Sequence, residues 1–257
     1  MRVLITGATG LIGGILRQSL VGHELAGIDI KPNDEFSLEV CDISDLSSIR
    51  PAFEGVDSVV HLAAIASSSA PWDSILNNNI IGTYNVFEAA KQAGAKRIVF
   101  ASSNHVSGMY ERDHPYSAIV NGQSEGLVPG GYPIINHIMP IRPDGYYGVA
   151  KQYGESLGRY YFEEYGIEFS CLRIGSVNRE NSPLVGIRQF ATWCSHQDLV
   201  QLVQRSLDVK SLGFEIFYGV SGNTWRFWDT EHSQDILGYQ PEDNAETYRK
   251  EFESLLP

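Results

Sequence analysis

Residues 2–14 read Arg2-Val3-Leu4-Ile5-Thr6-Gly7-Ala8-Thr9-Gly10-Leu11-Ile12-Gly13-Gly14, and this stretch decides the fold. A short apolar run gives way to glycines spaced G-x-x-G-x-x-G, and apolar residues then recur at helical spacing. Val3–Thr6 predicts a buried strand, and Ile12–Leu20 a helix that begins at the glycine turn. Glycine tolerates positive φ and lets the backbone approach a ligand closely. The free N–H groups at a helix start, with the positive end of its dipole, suit a pyrophosphate. Strand, glycine turn and helix in this order form the dinucleotide-binding fingerprint. Gly7, Gly10, Leu11, Ile12 and Gly13 are therefore the candidate phosphate cradle.

Outward from this stretch the rhythm continues. Further strand candidates are Leu25–Ile30, Ser37–Cys41, Ser58–Ala63, Arg97–Ser102 and Phe169–Ile174, with helical stretches at Ser74–Gln92 and Tyr147–Tyr165. Strands apolar along their whole length suit a parallel sheet covered on both faces. The expected fold is α/β, a doubly wound parallel sheet of the Rossmann type with a small C-terminal substrate-binding lobe. Asp29 closes the second strand roughly 20 residues after the first glycine, where an acid accepts from ribose hydroxyls and repels a 2′-phosphate. That favours NAD over NADP, with Lys31 two positions on acting against it. Asp42, ahead of Ile43 at the end of the third strand, is placed to accept from the adenine amino group.

Two features carry the chemistry. The strand Arg97-Ile98-Val99-Phe100-Ala101 breaks into Ser102-Ser103-Asn104-His105, a polar cluster at a strand end. Such a cluster reads either as ordinary turn chemistry or as reactive groups aimed into a pocket. Tyr147 and Lys151 stand four apart, on one face if the segment is helical. An ammonium near a phenol stabilises phenolate and makes tyrosine a usable base near neutral pH.

With these residues in hand, the chain resembles the extended short-chain dehydrogenase/reductase family, of the NAD-dependent epimerase/dehydratase type. The marks are TGATGLIG (6–13), Asp29, HLAA (61–64), NIIGT (79–83), ASSN (101–104) and YGVAK (147–151), spread over about residues 1–176. The resemblance implies NAD as cofactor, held also by Leu62, Ala63, Ala64, Asn79, Tyr147 and Lys151, and a catalytic set of Ser103, Tyr147 and Lys151. Ser102 is expected to be a structural or cofactor-side neighbour, and His61 a satisfied buried histidine. Within the family, SSNH (102–105), RPDGYYGVAK (142–151), RIGS (173–176) and the spacing of Arg188, Thr192, Trp193, Ser195 and His196 are similar to the uronate dehydrogenases. That likeness implies oxidation of C1 of glucuronate or galacturonate to an aldarolactone. It implies a sugar site made by Ser103, Asn104, His105, Tyr147, Ser176 and Arg188, with the Arg188 fork on the sugar carboxylate. One departure is the segment between Ser103 and Tyr147, longer than in that group. The alternatives are C1 oxidation of a neutral aldose or sugar phosphate, epimerase or dehydratase chemistry on a nucleotide sugar, and a non-catalytic NAD sensor, which would tend to lose the tyrosine or lysine.

The rest of the chain sets bounds. The expected division is a Rossmann core over 1–176, with an inserted loop at about 110–139, and a lobe over 177–257 interleaved with it. The insertion is rich in Gly, Pro, Ser and Asn, and loops of that length often shape or cover a site. With 19 Lys and Arg against 31 Asp and Glu, the net charge of −12 argues against a nucleic-acid surface and gives no attraction to anionic membranes. Cys41, Cys171 and Cys194 are isolated, so neither a disulfide framework nor a metal site is expected. The N-terminus leaves no room for a signal peptide and no apolar run reaches membrane-spanning length, so a cytoplasmic protein is expected. A homodimer through the two long helices is the expected assembly.

Overall fold

The computed structural model describes residues 1–33, 36 and 38–256. Its seven parallel strands are β1 Arg2–Thr6, β2 Glu24–Asp29, β3 Leu38–Val40, β4 Ser58–His61, β5 Arg97–Ser103, β6 Glu168–Ile174 and β7 Phe214–Gly219. They lie in the order β3-β2-β1-β4-β5-β6-β7. Ser37, the expected start of the third strand, lies outside the described residues. The order reverses between β1 and β4, and the crevice beyond the strand ends at such a switch point is where this architecture binds ligands. Register sets what meets there: Thr6 lies beside His61, His61 beside Phe100, and Ser103 beside Ile174.

Both faces are covered, as the unbroken apolar strands require. On one side Phe53, Phe87, Phe100 and Phe169 pack under the helices Gly82–Ala93 and Tyr146–Tyr165. On the other, Leu16, Leu199, Leu202 and Val203 bring the helices Leu11–Ser19 and His196–Asp208 onto the sheet. The helix expected over Ser74–Gln92 is a continuous rod of three parts. It runs as Trp72–Ile75, a π-helical segment Leu76–Ile81 and then Gly82–Ala93. No helix among the described residues is long and apolar enough to cross a membrane.

Two regions differ from expectation. The sheet does not end near residue 176: β7 pairs along β6 from Phe169↔Phe214 to Ile174↔Gly219. As an edge strand it is only partly buried along FEIFYG, so it lacks the all-apolar signature of the inner strands. The insertion is no open excursion either. It begins at the end of the 3-10 segment Asn104–Arg112 and contributes the short helix Tyr116–Val120. Tyr110, Tyr116, Ile119, Tyr132 and Ile135 then bury against Tyr218, Val220, Phe227 and Trp228 in a core of their own. Ile135 N–H donates to the Phe227 carbonyl at 2.7 Å, and Asp229 N–H to the Ile135 carbonyl at 2.9 Å. Its apolar residues follow neither helical nor strand period, because their partner is a segment far along the chain.

Candidate active site

At the ends of β1 and β4 the glycine loop is built by close approach. Gly7 has φ +71°, and a Cβ there would sit 2.8 Å from the Ala63 nitrogen. One on Gly13 would sit 2.4 Å from the Gly7 carbonyl oxygen. Two cavities meet over this loop and share Gly7, Gly10, Leu11, Leu62 and Ala64. The outer one, of about 360 Å³, is lined by Asp29, Lys31, Asp42, Ile43, Ala63, Asn78 and Arg179. Asp29 accepts from Thr9 N–H at 2.9 Å and Lys31 N–H at 3.2 Å, which holds its carboxylate at the rim. The inner cavity, of about 450 Å³, runs from Ile12 and Gly13 to Ser103, Asn104, His105, Tyr147, Lys151, Ser176 and Arg188. A cradle that any side chain would fill, with a cavity on either side, fits a dinucleotide whose pyrophosphate lies over the loop.

Asn79, for which the resemblance also implies a supporting role, bonds the loop after β4. It is buried behind the cofactor trough, where its amide donates to the Ile65 carbonyl at 3.0 Å and accepts from Ile65 N–H at 2.8 Å. It clamps the loop after β4, a supporting role, and lines neither cavity. His61 is a satisfied core histidine, with Nδ1 on Thr6 Oγ1 at 2.7 Å and Nε2 on Thr83 Oγ1 at 3.1 Å. Burial, with Lys151 nearby, pushes its imidazole well below the usual histidine range.

Tyr147 and Lys151 lie one turn apart in the helix Tyr146–Tyr165, and both are buried. Burial raises the Tyr147 phenol above its ordinary value, and a hydrogen bond with Ser103 pulls it back. Burial brings Lys151 down to about 7. Its ammonium lies 5.0 Å from the Phe100 ring centroid and 5.7 Å from that of Tyr147. Among the described residues no carboxylate pairs with it, so this cation is left for ligands. Strand alternation separates the two serines at the end of β5. Ser103 Oγ accepts from His105 N–H at 3.2 Å and donates to Asn104 Oδ1 at 3.3 Å. Ser102 Oγ donates instead to Glu155 at 2.6 Å.

Behind Ser102 stands a buried polar chain that sequence reading did not find. Arg173 donates to both oxygens of Glu155 at 2.9 and 2.8 Å and to Tyr218 Oη at 3.1 Å. Tyr218 donates to Ser107 Oγ at 3.0 Å, and Ser107 donates to the Asn104 carbonyl at 3.2 Å. A fully satisfied buried network of this kind holds its members rigid, here the backbone that carries Ser103, Asn104 and His105.

Two more carboxylates pair with residues that line the inner cavity. His105 Nδ1 lies 2.7 Å from Asp144 Oδ2, which puts the ring proton on Nδ1. The ring stands edge-on to Tyr147 at 5.6 Å. Asp144 sits in RPDG just ahead of Tyr147, so its nearness to the tyrosine was a usable signal. Glu111 had none. Arg188 reaches the inner cavity as expected, and its Nε and Nη2 donate to Glu111 at 2.6 and 2.7 Å. Its Nη1 donates to Ser176 Oγ at 3.0 Å.

A parallel sheet with a glycine cradle at its switch point, and a Ser–Tyr–Lys set in the adjoining cavity, defines a nicotinamide-dependent oxidoreductase of the short-chain type. The model of the NAD dependent epimerase/dehydratase family matches residues 3–183. The chain belongs to that family, and NAD is its cofactor. It is 38% identical over 260 residues to the uronate dehydrogenase of Pseudomonas putida, covering 98% of this chain and 88% of the relative. Two Haloferax volcanii enzymes are each 34% identical: an NAD-dependent glucose-6-phosphate dehydrogenase, with 98% and 97% coverage, and an L-arabinose 1-dehydrogenase (NAD(P)(+)), with 96% and 98%. A solved point mutant of Agrobacterium tumefaciens uronate dehydrogenase complexed with NAD superposes with a TM-score of 0.82 at 35% identity, covering 100% of this chain and 90% of that one.

Asp29 makes the cofactor choice testable. Its carboxylate should set kcat/KM for NAD above that for NADP. Asp29→Ser should narrow the gap roughly tenfold or more, since about 1.4 kcal/mol of relieved repulsion is a factor of ten. Lys31 and Arg179 line the same cavity and stand ready for a 2′-phosphate. Equal use of both cofactors by the unmodified protein would show that these cations already outweigh Asp29.

Proposed function

We propose that the chain is a sugar 1-dehydrogenase, which oxidises the anomeric hydroxyl of an aldose-type sugar to the lactone. The observation that carries this reading is the meeting of Ser103, Tyr147 and Lys151 in one cavity beside the glycine cradle. Tyr147, as phenolate, takes the proton of the C1 hydroxyl, and Ser103 holds the same oxygen. The Lys151 ammonium favours the phenolate electrostatically. Asn104, His105 and Ser176 offer polar groups to the remaining hydroxyls, with His105 held in one orientation by Asp144. NAD bound over the cradle supplies the hydride acceptor for C1. That the relatives include an L-arabinose 1-dehydrogenase and uronate dehydrogenases supports sugar oxidation as the reaction.

Epimerase or dehydratase chemistry on a nucleotide sugar is less well supported. It needs room for a nucleoside diphosphate beyond the sugar. Here much of the chain after residue 176 goes into β7, its preceding helix and the core shared with the insertion. The test is an NAD-reduction screen over aldoses, uronates, sugar phosphates and nucleotide sugars, with hydroxylamine trapping of the lactone. Reduction with trapped lactone is the expected result. Turnover of nucleotide sugars alone, with no net NADH, would overturn the reading.

A further inference from the structure

The cation that a uronate would need is already engaged. Arg188 is the residue of the sugar cavity whose planar fork matches a carboxylate. In this chain Glu111 fills that fork through both carboxylate oxygens, at 2.6 and 2.7 Å. The third nitrogen, Nη1, is held by Ser176 Oγ at 3.0 Å, with Thr192 Oγ1 at 3.4 Å. The Glu111 side chain is only 15% exposed, so a substrate that took the fork would leave a mostly buried carboxylate without its partner. The pair is neutral as a unit. A second carboxylate, Asp144, stands beside His105 in the same region, and the whole protein carries −12. Nothing in this arrangement compensates a new negative charge opposite C1.

We propose that Glu111, by holding the Arg188 fork, is the specificity-determining residue of the sugar site. It fits the site to a sugar that is uncharged opposite C1, a neutral aldose, and disfavours the matching uronate. The proposal rests on the C1-oxidation reading above and names its substrate class. Glu111 lies at the head of the insertion, within the segment Asn104–Arg112, and Tyr110 beside it is anchored in the insertion's core. The segment that leads into the insertion thus brings a carboxylate onto an arginine that lines the inner cavity. Ser176 and the neutralised Arg188 line the cavity and are left to meet hydroxyl groups, the serine as either partner.

The test compares D-galactose with D-galacturonate and D-glucose with D-glucuronate, sugars that differ only at C6, in the unmodified protein and in Glu111→Gln. In the unmodified protein kcat/KM should favour the neutral member of at least one pair. Glu111→Gln keeps the size of the side chain but releases the charge of Arg188. The uronate-to-neutral ratio should then rise roughly 10- to 100-fold, the worth of a charge-assisted contact, with the change mostly in KM for the uronate. NAD titration by protein fluorescence confirms that the variant is folded. Glu111→Ala should move the ratio the same way, which guards against a defect peculiar to glutamine. A merely structural role for Glu111 would lower both sugars alike and leave the ratio unmoved, which overturns the proposal. A preference of the unmodified protein for uronates or sugar phosphates also overturns it, while leaving C1 oxidation standing. Lack of NAD reduction with every sugar defeats the C1 reading itself.

Discussion

Tyr147→Phe should lower turnover by about 10²–10⁴, the usual worth of a general base, while NAD still binds within a few-fold of the unmodified protein. The asymmetry follows from geometry. Tyr147 and Ser103 line the same inner cavity, whereas the pyrophosphate cradle is backbone around Gly7 and Gly13. Removing one oxygen deletes the proton acceptor and leaves the cradle and Lys151 in place. The phenylalanine ring still fills its place beside His105, so folding is spared. Steady-state kinetics with NAD titration decide it. Turnover within a few-fold of normal would show that another group, with His105 the nearest candidate, takes the proton.

Lys151→Met should abolish activity and yet stabilise the protein in the absence of ligands. An ammonium buried against aromatic rings, with no carboxylate beside it, is costly. The unfolded chain keeps its proton on this lysine up to the ordinary value of 10.5, and the folded chain only to about 7. Below about 7 both states are protonated and the folded state bears the whole penalty. Between 7 and 10.5 the unfolded state binds more protons, so stability climbs with pH and the penalty fades. Methionine has no charge to bury. The variant's advantage should therefore be largest at about pH 7 and below, on the order of a few kcal/mol, and should vanish toward about pH 10. At roughly 2–4 °C per kcal/mol for a chain of this size, calorimetry at several pH values resolves it. A variant less stable at every pH would mean that the ammonium is compensated in the folded protein. A site that costs stability when empty, and is repaid only when NAD arrives, is a common exchange between function and stability.

The nucleotide half of the site was legible because each of its parts is local. The glycine cradle is seven consecutive residues, Gly7–Gly13, that carry their own backbone chemistry. Asp29 ends the next strand, and Tyr147 and Lys151 share one helical face. The sugar half was legible only as a set of names. Arg188 could be picked out, but its bond to Glu111 joins residues from distant parts of the chain, and no local pattern encodes such a pairing. The insertion misled for the same reason. Its glycines and prolines marked turns correctly, while Tyr110, Tyr116 and Tyr132 waited for Phe227 and Trp228. Strand β7 was hidden by its place at the sheet edge, where Glu215 breaks its apolar run. The bonds of Asn79 to the Ile65 backbone likewise join residues from separate segments.

The bond between the insertion and the Phe227–Trp228 segment has a consequence for synthesis. A chain made from its N-terminus completes the strands β1, β2, β3 and β4, and the cradle with them, within its first 61 residues. Ser103 and Tyr147 follow by mid-chain. The insertion finds no lining until Ile135 can pair with Trp228, which is made 93 residues later. At ordinary elongation rates of about 5–20 residues per second, the region around Glu111 waits several seconds with its tyrosines unpaired. A chain made just short of residue 228 would already contain every residue that lines the two cavities, but the insertion would lack its partner. The residues that line the cavities are thus made before those that brace the insertion beside Glu111.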